Sequence, residues 1–102
     1  MLLEGKVAIV TGGARGIGAC ISRTLARHGA TVAVVYSASA AKSEVVVGEI
    51  EAAGGKAAAF CADVRDEAAV NAMVEAVVAR FGRIDGLVNN AIAGRQNASF
   101  DD

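Results

Sequence analysis

A glycine-rich segment, residues 11–18, is the part of the sequence best suited to holding a phosphate. It reads Thr-Gly-Gly-Ala-Arg-Gly-Ile-Gly and joins a short apolar run to a stretch of helical periodicity. A helix N-terminus presents unpaired N–H groups and a partial positive charge, and glycines let the backbone approach a phosphate closely. The alternative is a tight turn that needs glycine for packing alone. The segment predicts a nucleotide site that includes Gly12, Gly13, Ala14, Arg15, Gly16, Ile17 and Gly18.

Four short apolar runs predict the β-strands that would position this turn. They cover residues 6–11, 31–36, 56–61 and 84–89. The first two are rich in β-branched residues, whereas the third is rich in alanine. Apolar runs of this length, bounded by glycine or polar residues, are typical of strands buried on both faces of a parallel sheet.

Three helices are predicted between the strands, over residues 16–28, 40–53 and 66–80. Glycine, a common C-terminal stop, follows each of them within two residues. In the first helix the core-facing stripe is expected to comprise Ile17, Cys20, Ile21, Thr24, Leu25 and His28. Cys20 and Cys61 are interpreted as small core residues, because neither lies in a metal-ligand spacing or beside an evident base. No metal site is predicted.

The alternation of these elements predicts an α/β fold. The order β-α-β-α-β-α-β gives a Rossmann-type doubly wound parallel sheet, of which this chain would be the first half only. The fourth strand should lie beside the first, and an apolar parallel strand left at an open edge is an aggregation hazard. We therefore interpret residues 1–102 as part of one dinucleotide-binding domain whose second half is absent.

Composition excludes several classes of protein. The chain has 102 residues, 54% of them hydrophobic, with 21% charged residues and a formal net charge of −1. This balance excludes a mainly disordered chain and gives no basic patch for nucleic acid or a membrane surface. No apolar run approaches the roughly 18 residues of a membrane span, and the N-terminus lacks the features of a signal peptide. We expect a cytoplasmic protein.

The motifs together resemble the short-chain dehydrogenase/reductase family. The likeness covers essentially the whole chain and is greatest for 3-oxoacyl-acyl-carrier-protein reductases. It is carried by the segment 11–18 and by Gly5-Lys6-Val7-Ala8, Asp63-Val64 and Asn89-Asn90-Ala91. The resemblance implies hydride transfer between a nicotinamide cofactor and a carbonyl or alcohol substrate, in a protein that forms homo-oligomers. One departure is Ile92, which stands where the family usually has glycine and puts the nicotinamide geometry in question.

The end of the second strand favours NADP over NAD as the cofactor. A carboxylate there would bind the ribose 2′-OH of NAD, but the chain has Tyr36 and Ser37, with no acid before Glu44. Arg15 carries the planar fork that suits a phosphate, and the resemblance supports Arg15 and Ser37 as 2′-phosphate contacts. The alternatives are a solvated charge for Arg15 and a helix cap or turn hydroxyl for Ser37.

Further cofactor contacts are implied by the resemblance at the ends of the third and fourth strands. Asp63 would contact the adenine amino group, with Val64 packed beside the ring. The alternative is that Asp63 caps the following helix, a place for which Asp66 competes. Asn90 and Ala91 would line the ribose and nicotinamide side, and Asn89 would be structural.

No catalytic residue is predicted in this chain. The family uses a tyrosine acid with a lysine four residues later, but Tyr36 is followed at that spacing by Ala40. His28, the sole histidine, is expected at a helix C-terminus. The chain alone is expected to be inactive. Two alternatives are a non-catalytic nucleotide-binding module that pairs with another chain, and a methyltransferase that uses S-adenosylmethionine.

Overall fold

Four segments rich in valine and alanine form the strands. In the computed structural model, which describes residues 2–90, the strands are β1 (Val7–Thr11), β2 (Thr31–Tyr36), β3 (Lys56–Cys61) and β4 (Gly86–Asn89). The sequence-based bounds are right for β2 and β3, and β1 and β4 begin one and two residues later than expected.

The strands form one parallel sheet in the order β3-β2-β1-β4. Ile9 of β1 is in register with Ala33 of β2 on one side and with Leu87 of β4 on the other. The chain therefore builds outward from β1 to β3, then returns across the sheet to place β4 against the opposite side of β1. This reversal creates a topological switch point between β1 and β4, as the sequence predicts.

The helices are α1 (Gly16–Arg27), α2 (Ala40–Ala52) and α3 (Glu67–Phe81). Each lies within two residues of its predicted bounds. The last ends at Gly82, which adopts a left-handed conformation with φ of 85° that suits glycine. None of the helices in residues 2–90 combines the length and apolarity needed to cross a bilayer.

The two inner strands, β1 and β2, are buried on both faces of the sheet in two separate clusters, whereas β4 is largely exposed, with Leu87 62% exposed. Val10 and Val34 pack with α1 and α2 on one face. Ile9 and Val35, which are adjacent to Val10 and Val34 in the same strands, pack with Val77 of α3 on the other face. Alternate residues thus point to opposite layers, which explains why the strands are apolar without a polar side.

The predicted core stripe of α1 is wrong in part. Ile17 is 72% exposed and Cys20 and His28 are also exposed, whereas Ile21 and Leu25 are half-buried against the core. The buried residues of α1 are instead small: Gly18, Ala19, Ser22 and Ala26. Small side chains let this helix lie close to the sheet, so the larger apolar residues are displaced to its flanks. Cys61 is exposed as well, so neither cysteine is a core residue in the described structure.

Candidate functional site

The glycine-rich turn lies at the switch point, between the carboxyl end of β1 and the start of α1. It contacts the strands on both sides of β1. The Gly13 N–H donates to the Val35 carbonyl of β2 at 3.3 Å, and the Asn90 side-chain amide donates to the Gly12 carbonyl at 3.2 Å. In open parallel α/β sheets, ligands bind outside the carboxyl ends of the strands at such a point.

Two glycines in the turn adopt backbone conformations that other residues rarely reach. The φ angles of Gly12 and Gly16 are 64° and 49°. Nothing within 4 Å would obstruct a Cβ at Gly16, so backbone conformation is what requires glycine there.

At Gly18 and Gly13, by contrast, the limit is space. A Cβ on Gly18 would collide with the Gly12 carbonyl and would lie 2.7 Å from the Asn90 amide nitrogen. A Cβ on Gly13 would lie 2.8 Å from the Val10 carbonyl oxygen. The first turn of α1 is therefore packed directly on the loop that precedes it, and the packing alternative holds for these two glycines alongside any ligand role.

Ser22 is a site residue that the sequence analysis missed. Its side chain is fully buried, and its hydroxyl donates to the Gly13 carbonyl at 3.2 Å. The bond anchors the glycine-rich turn to the second turn of α1. The available signal was its spacing of four residues from Gly18 on the face of small residues, which apolar periodicity does not detect.

The N-terminus of α1 is not capped by a side chain. Arg15 occupies the N-cap position in an extended conformation, and within residues 2–90 no side chain accepts a capping hydrogen bond there. No acidic residue lies in the first turn. The amides of Gly16, Ile17 and Gly18 thus keep the polarity that attracts an anion, at the edge of the sheet where ligands bind.

The end of β2 carries Tyr36, which is half-buried, and Ser37, which is exposed. The N-cap of α2 is Ser39, whose Oγ accepts from the Lys42 N–H at 3.2 Å. The helix-cap alternative for Ser37 is therefore wrong, because Ser39 holds that position.

The end of β3 carries Asp63 in a tight local network. Its Oδ1 accepts from the Arg65 backbone N–H at 2.9 Å and from Arg65 Nε at 3.0 Å, and its Oδ2 accepts from Arg65 Nη2 at 3.0 Å. The Arg65 side chain, followed by its backbone N–H, holds the pKa of the Asp63 carboxyl below its ordinary value. Val64 beside it is half-buried.

Asp63 does not cap α3, so that alternative is wrong. Asp66 is the cap, and its carboxylate accepts from the backbone N–H groups of Ala68 and Ala69 at 3.0 and 3.3 Å. Asp63 is thereby left to face the sheet edge with Arg65 as its partner.

The end of β4 is tied to β1 through Thr11. The Thr11 hydroxyl donates to Asn89 Oδ1 at 3.1 Å and accepts from the Asn90 N–H at 3.0 Å. Together with the bond from Asn90 to the Gly12 carbonyl, these contacts fix the fourth strand end against the glycine-rich turn. Ala91 and Ile92 lie outside the described residues.

The sole histidine lies away from this edge of the sheet, and the described residues hold no metal-ligand cluster. His28 is the C-cap of α1, at the far end of that helix, as expected. Among residues 2–90, no cluster of three or more His, Cys, Asp or Glu side chains is arranged to hold a metal ion.

Comparisons with known proteins agree with this geometry. Residues 6–102 match the short chain dehydrogenase family. An uncharacterized oxidoreductase of Methylorubrum extorquens is 54% identical over 89 residues, which are 87% of this chain and 36% of that protein. A 3-oxoacyl-[acyl-carrier-protein] reductase of Staphylococcus aureus is 49% identical over 92 residues, 90% of this chain and 37% of the reductase.

Solved structures show the same relationship. A short chain dehydrogenase of Burkholderia cenocepacia in complex with NADP superposes with a TM-score of 0.88 at 48% identity, covering 95% of this chain and 40% of that one. A Serratia marcescens short-chain dehydrogenase/reductase gives 0.86 at 50% identity, covering 89% and 37%. The chain thus spans little more than a third of the length of the relatives it matches. On the extent of these matches, the chain belongs to the short chain dehydrogenase family.

Proposed function

We propose that this chain binds NADP at the carboxyl edge of its sheet, with the pyrophosphate at the N-terminus of α1. The observation that carries the proposal is the absence of a side-chain cap on α1 within the described residues, at the switch point of the sheet. The close packing of Gly18 on Gly12 adds a reason for the glycines, because it brings the helix amides to the edge.

NADP is favoured over NAD by the residues at the end of β2. Tyr36 and Ser37 place no carboxylate where the ribose 2′-OH of NAD would be bound, so a 2′-phosphate would meet no like charge. Arg15, at the N-cap of α1, supplies a guanidinium suited to that phosphate. The complex of the Burkholderia cenocepacia relative with NADP supports the same cofactor here.

The remaining predicted contacts belong to the same proposal. Asp63 and Val64 would hold the adenine, and Asn90 and Ala91 would line the ribose and nicotinamide. Asn90 already donates its side-chain amide to the Gly12 carbonyl, so its first role is to shape the phosphate turn. The Arg65 ion pair keeps Asp63 ionised, as an acceptor for an amino group.

For the whole protein, we propose an NADP(H)-dependent oxidoreductase of a carbonyl or alcohol substrate. The bound cofactor would supply or accept the hydride. A proton donor must serve the developing alkoxide, and none of residues 2–90 combines a suitable acid with a neighbouring base at this edge. We propose that the acid, the substrate pocket and the oligomer contacts lie beyond this chain. The methyltransferase alternative is wrong, because the family is that of the dehydrogenases.

A titration with NADPH and NADH, followed by nicotinamide fluorescence, tests the proposal. The protein should bind NADPH more tightly than NADH. Arg15→Ala should weaken NADPH by about 10–100-fold, the range for loss of a charge-assisted phosphate contact, while NADH changes little. Arg80→Ala, which removes an exposed arginine from the last turn of α3, is the matched control and should change neither. Equal loss of both cofactors in Arg15→Ala would contradict the 2′-phosphate assignment.

A further inference from the structure

A cavity of about 540 Å³ opens at the opposite edge of the sheet from the glycine-rich turn. It lies between the C-terminal turns of α1 and α2 and the amino ends of β2 and β3, and we call it the α1–α2 cavity. Its volume falls within the ~300–1,000 Å³ typical of small-molecule sites. The predicted cofactor contacts all follow the carboxyl ends of the strands, so none of them lies here.

The inner wall of the α1–α2 cavity is apolar. Ala26, Ala30 and Ile50 line it, and all three side chains are buried in the core. Gly55 packs closely beside them, since a Cβ there would lie 2.9 Å from the Ile50 side chain. These three residues belong to the core cluster that also contains Val32 and Val34, so the floor of the cavity is apolar.

The rim of the α1–α2 cavity carries a surplus of positive charge. Arg23 and Glu49 neutralise each other across the two helices through a salt bridge of 3.0 Å. Arg27 and Lys56 form no ion pair with any described residue, and Glu4 is the one further acid of the lining. Two cations thus face one anion at the mouth of an apolar pocket.

The helix ends at the α1–α2 cavity do not offset this charge fully. Their last carbonyls are already hydrogen-bonded: Gly29 and Ala30 donate to the end of α1, and Gly54 and Gly55 donate to the end of α2, at 2.9–3.1 Å. Carbonyls satisfied in this way present less negative polarity to a ligand than free ones.

We propose that the α1–α2 cavity binds a small organic anion, an apolar body that carries one carboxylate or phosphate group. The apolar body would lie against Ile50 and the alanines, and the anionic group would lie between Arg27 and Lys56. The site is separate from the cofactor edge, so the anion and NADPH occupy the protein together.

Octanoate and octyl phosphate are the probes, with 1-octanol as the uncharged control of equal chain length. Titration of the isotopically labelled, NADPH-saturated protein should shift the Ile50 methyl signals and the Gly54 and Gly55 amides. Both anions should bind at least about tenfold more tightly than octanol, because a charge-assisted hydrogen bond is gained. A preference between the two anions would identify the headgroup.

Variants separate this site from general surface binding. Arg27→Gln combined with Lys56→Gln should weaken octanoate by about 10–100-fold, whereas Lys42→Gln, in the first turn of α2, should leave it unchanged. Ala53→Phe, which fills the cavity from the exposed end of α2, gives a second route to loss of binding if the double variant does not fold. Displacement of octanoate by NADPH, equal binding of octanol, or octanoate affinity unaltered in the variants would overturn the proposal.

Discussion

Helices α1 and α3 begin in opposite ways, although both start at the carboxyl edge of the same sheet. The first turn of α3 is closed by its own chain, since Asp66 accepts from two of its amides and Glu67 adds a negative charge. The first turn of α1 has neither a side-chain cap nor an acid, within the described residues.

On the proposed function, the difference separates a helix end that is satisfied within the protein from one that binds the cofactor. Each helix N-terminus carries unpaired N–H groups and roughly half a positive charge, and these must be satisfied by a cap, by water or by a ligand. At α3 the carboxylate of Asp66 does so permanently. At α1 the corresponding position is Arg15, whose side chain makes no capping hydrogen bond, and on the proposed function an external anion would satisfy these amides.

The largest effect is expected from a single methyl group on α1. In Gly18→Ala the Cβ collides with the Gly12 carbonyl, and relieving overpacking of this kind should lower the unfolding free energy by about 1–3 kcal/mol. Because the displaced helix start would lose a charge-assisted hydrogen bond to the phosphate, NADPH binding should weaken by about 10–100-fold. Gly48→Ala is the matched control, because a Cβ at that helical glycine of α2 meets nothing within 4 Å. The control should be more stable by about 0.5–1 kcal/mol and bind NADPH normally. Normal NADPH binding by Gly18→Ala would contradict the claim that the N-terminus of α1 holds the cofactor.

Thr11→Val tests how far the hydrogen bonds between the ends of β1 and β4 stabilise the fold beside the start of α1. The substitution keeps the side-chain shape but removes the hydroxyl that links β1 to Asn89 and Asn90. Leaving these partners unpaired should cost about 1–3 kcal/mol of unfolding free energy. Urea denaturation measures this cost, and Thr11→Ser, which retains the hydroxyl, should lose less. A Thr11→Val variant as stable as the wild type, or a larger loss in Thr11→Ser than in Thr11→Val, would contradict the role assigned to the hydroxyl.

Asp66→Ala tests the closed helix end. Loss of a helix N-cap should lower the unfolding free energy by about 0.5–2 kcal/mol, while the affinity for NADPH stays the same. Asp66→Asn, which can still cap, should retain most of the stability. A large drop in NADPH affinity in Asp66→Ala would mean that the two helix ends are not functionally distinct.

Asp85→Asn, with the smallest expected effect, tests stability far from either helix start. The Arg83 side chain, and then the Val7 N–H, hold the pKa of Asp85 below its ordinary value. A carboxyl with a lowered folded-state pKa adds stability above its unfolded pKa, and this is lost as pH falls through the folded pKa. The variant should therefore have a lower free energy of unfolding near neutral pH, and that free energy should fall less than the wild type's on acidification. Denaturation midpoints at about pH 7 and pH 3 measure both, and an unchanged pH dependence would contradict the assignment.

The sheet and its order could be predicted from the sequence. Buried parallel strands such as β2 are continuous apolar runs between glycine and polar residues, so their bounds are visible locally. The position of the glycine-rich turn followed from the same order. Its conformation at Gly12 agrees with the expectation that glycine allows the turn, whereas the tight packing at Gly18 on the Gly12 carbonyl matches the packing alternative.

Side-chain contacts were beyond the sequence, whether between distant segments or within a local turn. Apolar periodicity placed Ile17 and Cys20 inside, but α1 packs through small residues, and the sequence does not show how closely a helix approaches a sheet. Ser22 was missed for the same reason, because a serine is buried only when a carbonyl such as that of Gly13 is in reach. The pairing of Asp63 with Arg65, two residues away, depends on the local turn rather than on residue type.

Backbone amide shifts during an NADPH titration test most directly that α1 presents an open, anion-binding N-terminus and α3 a closed one. The account predicts large downfield shifts at Gly16, Ile17 and Gly18, together with unchanged signals from Ala68 and Ala69, whose amides are bound to Asp66. Inorganic pyrophosphate should produce the same pattern at higher concentration. Shifts at the start of α3, or none at the start of α1, would contradict it.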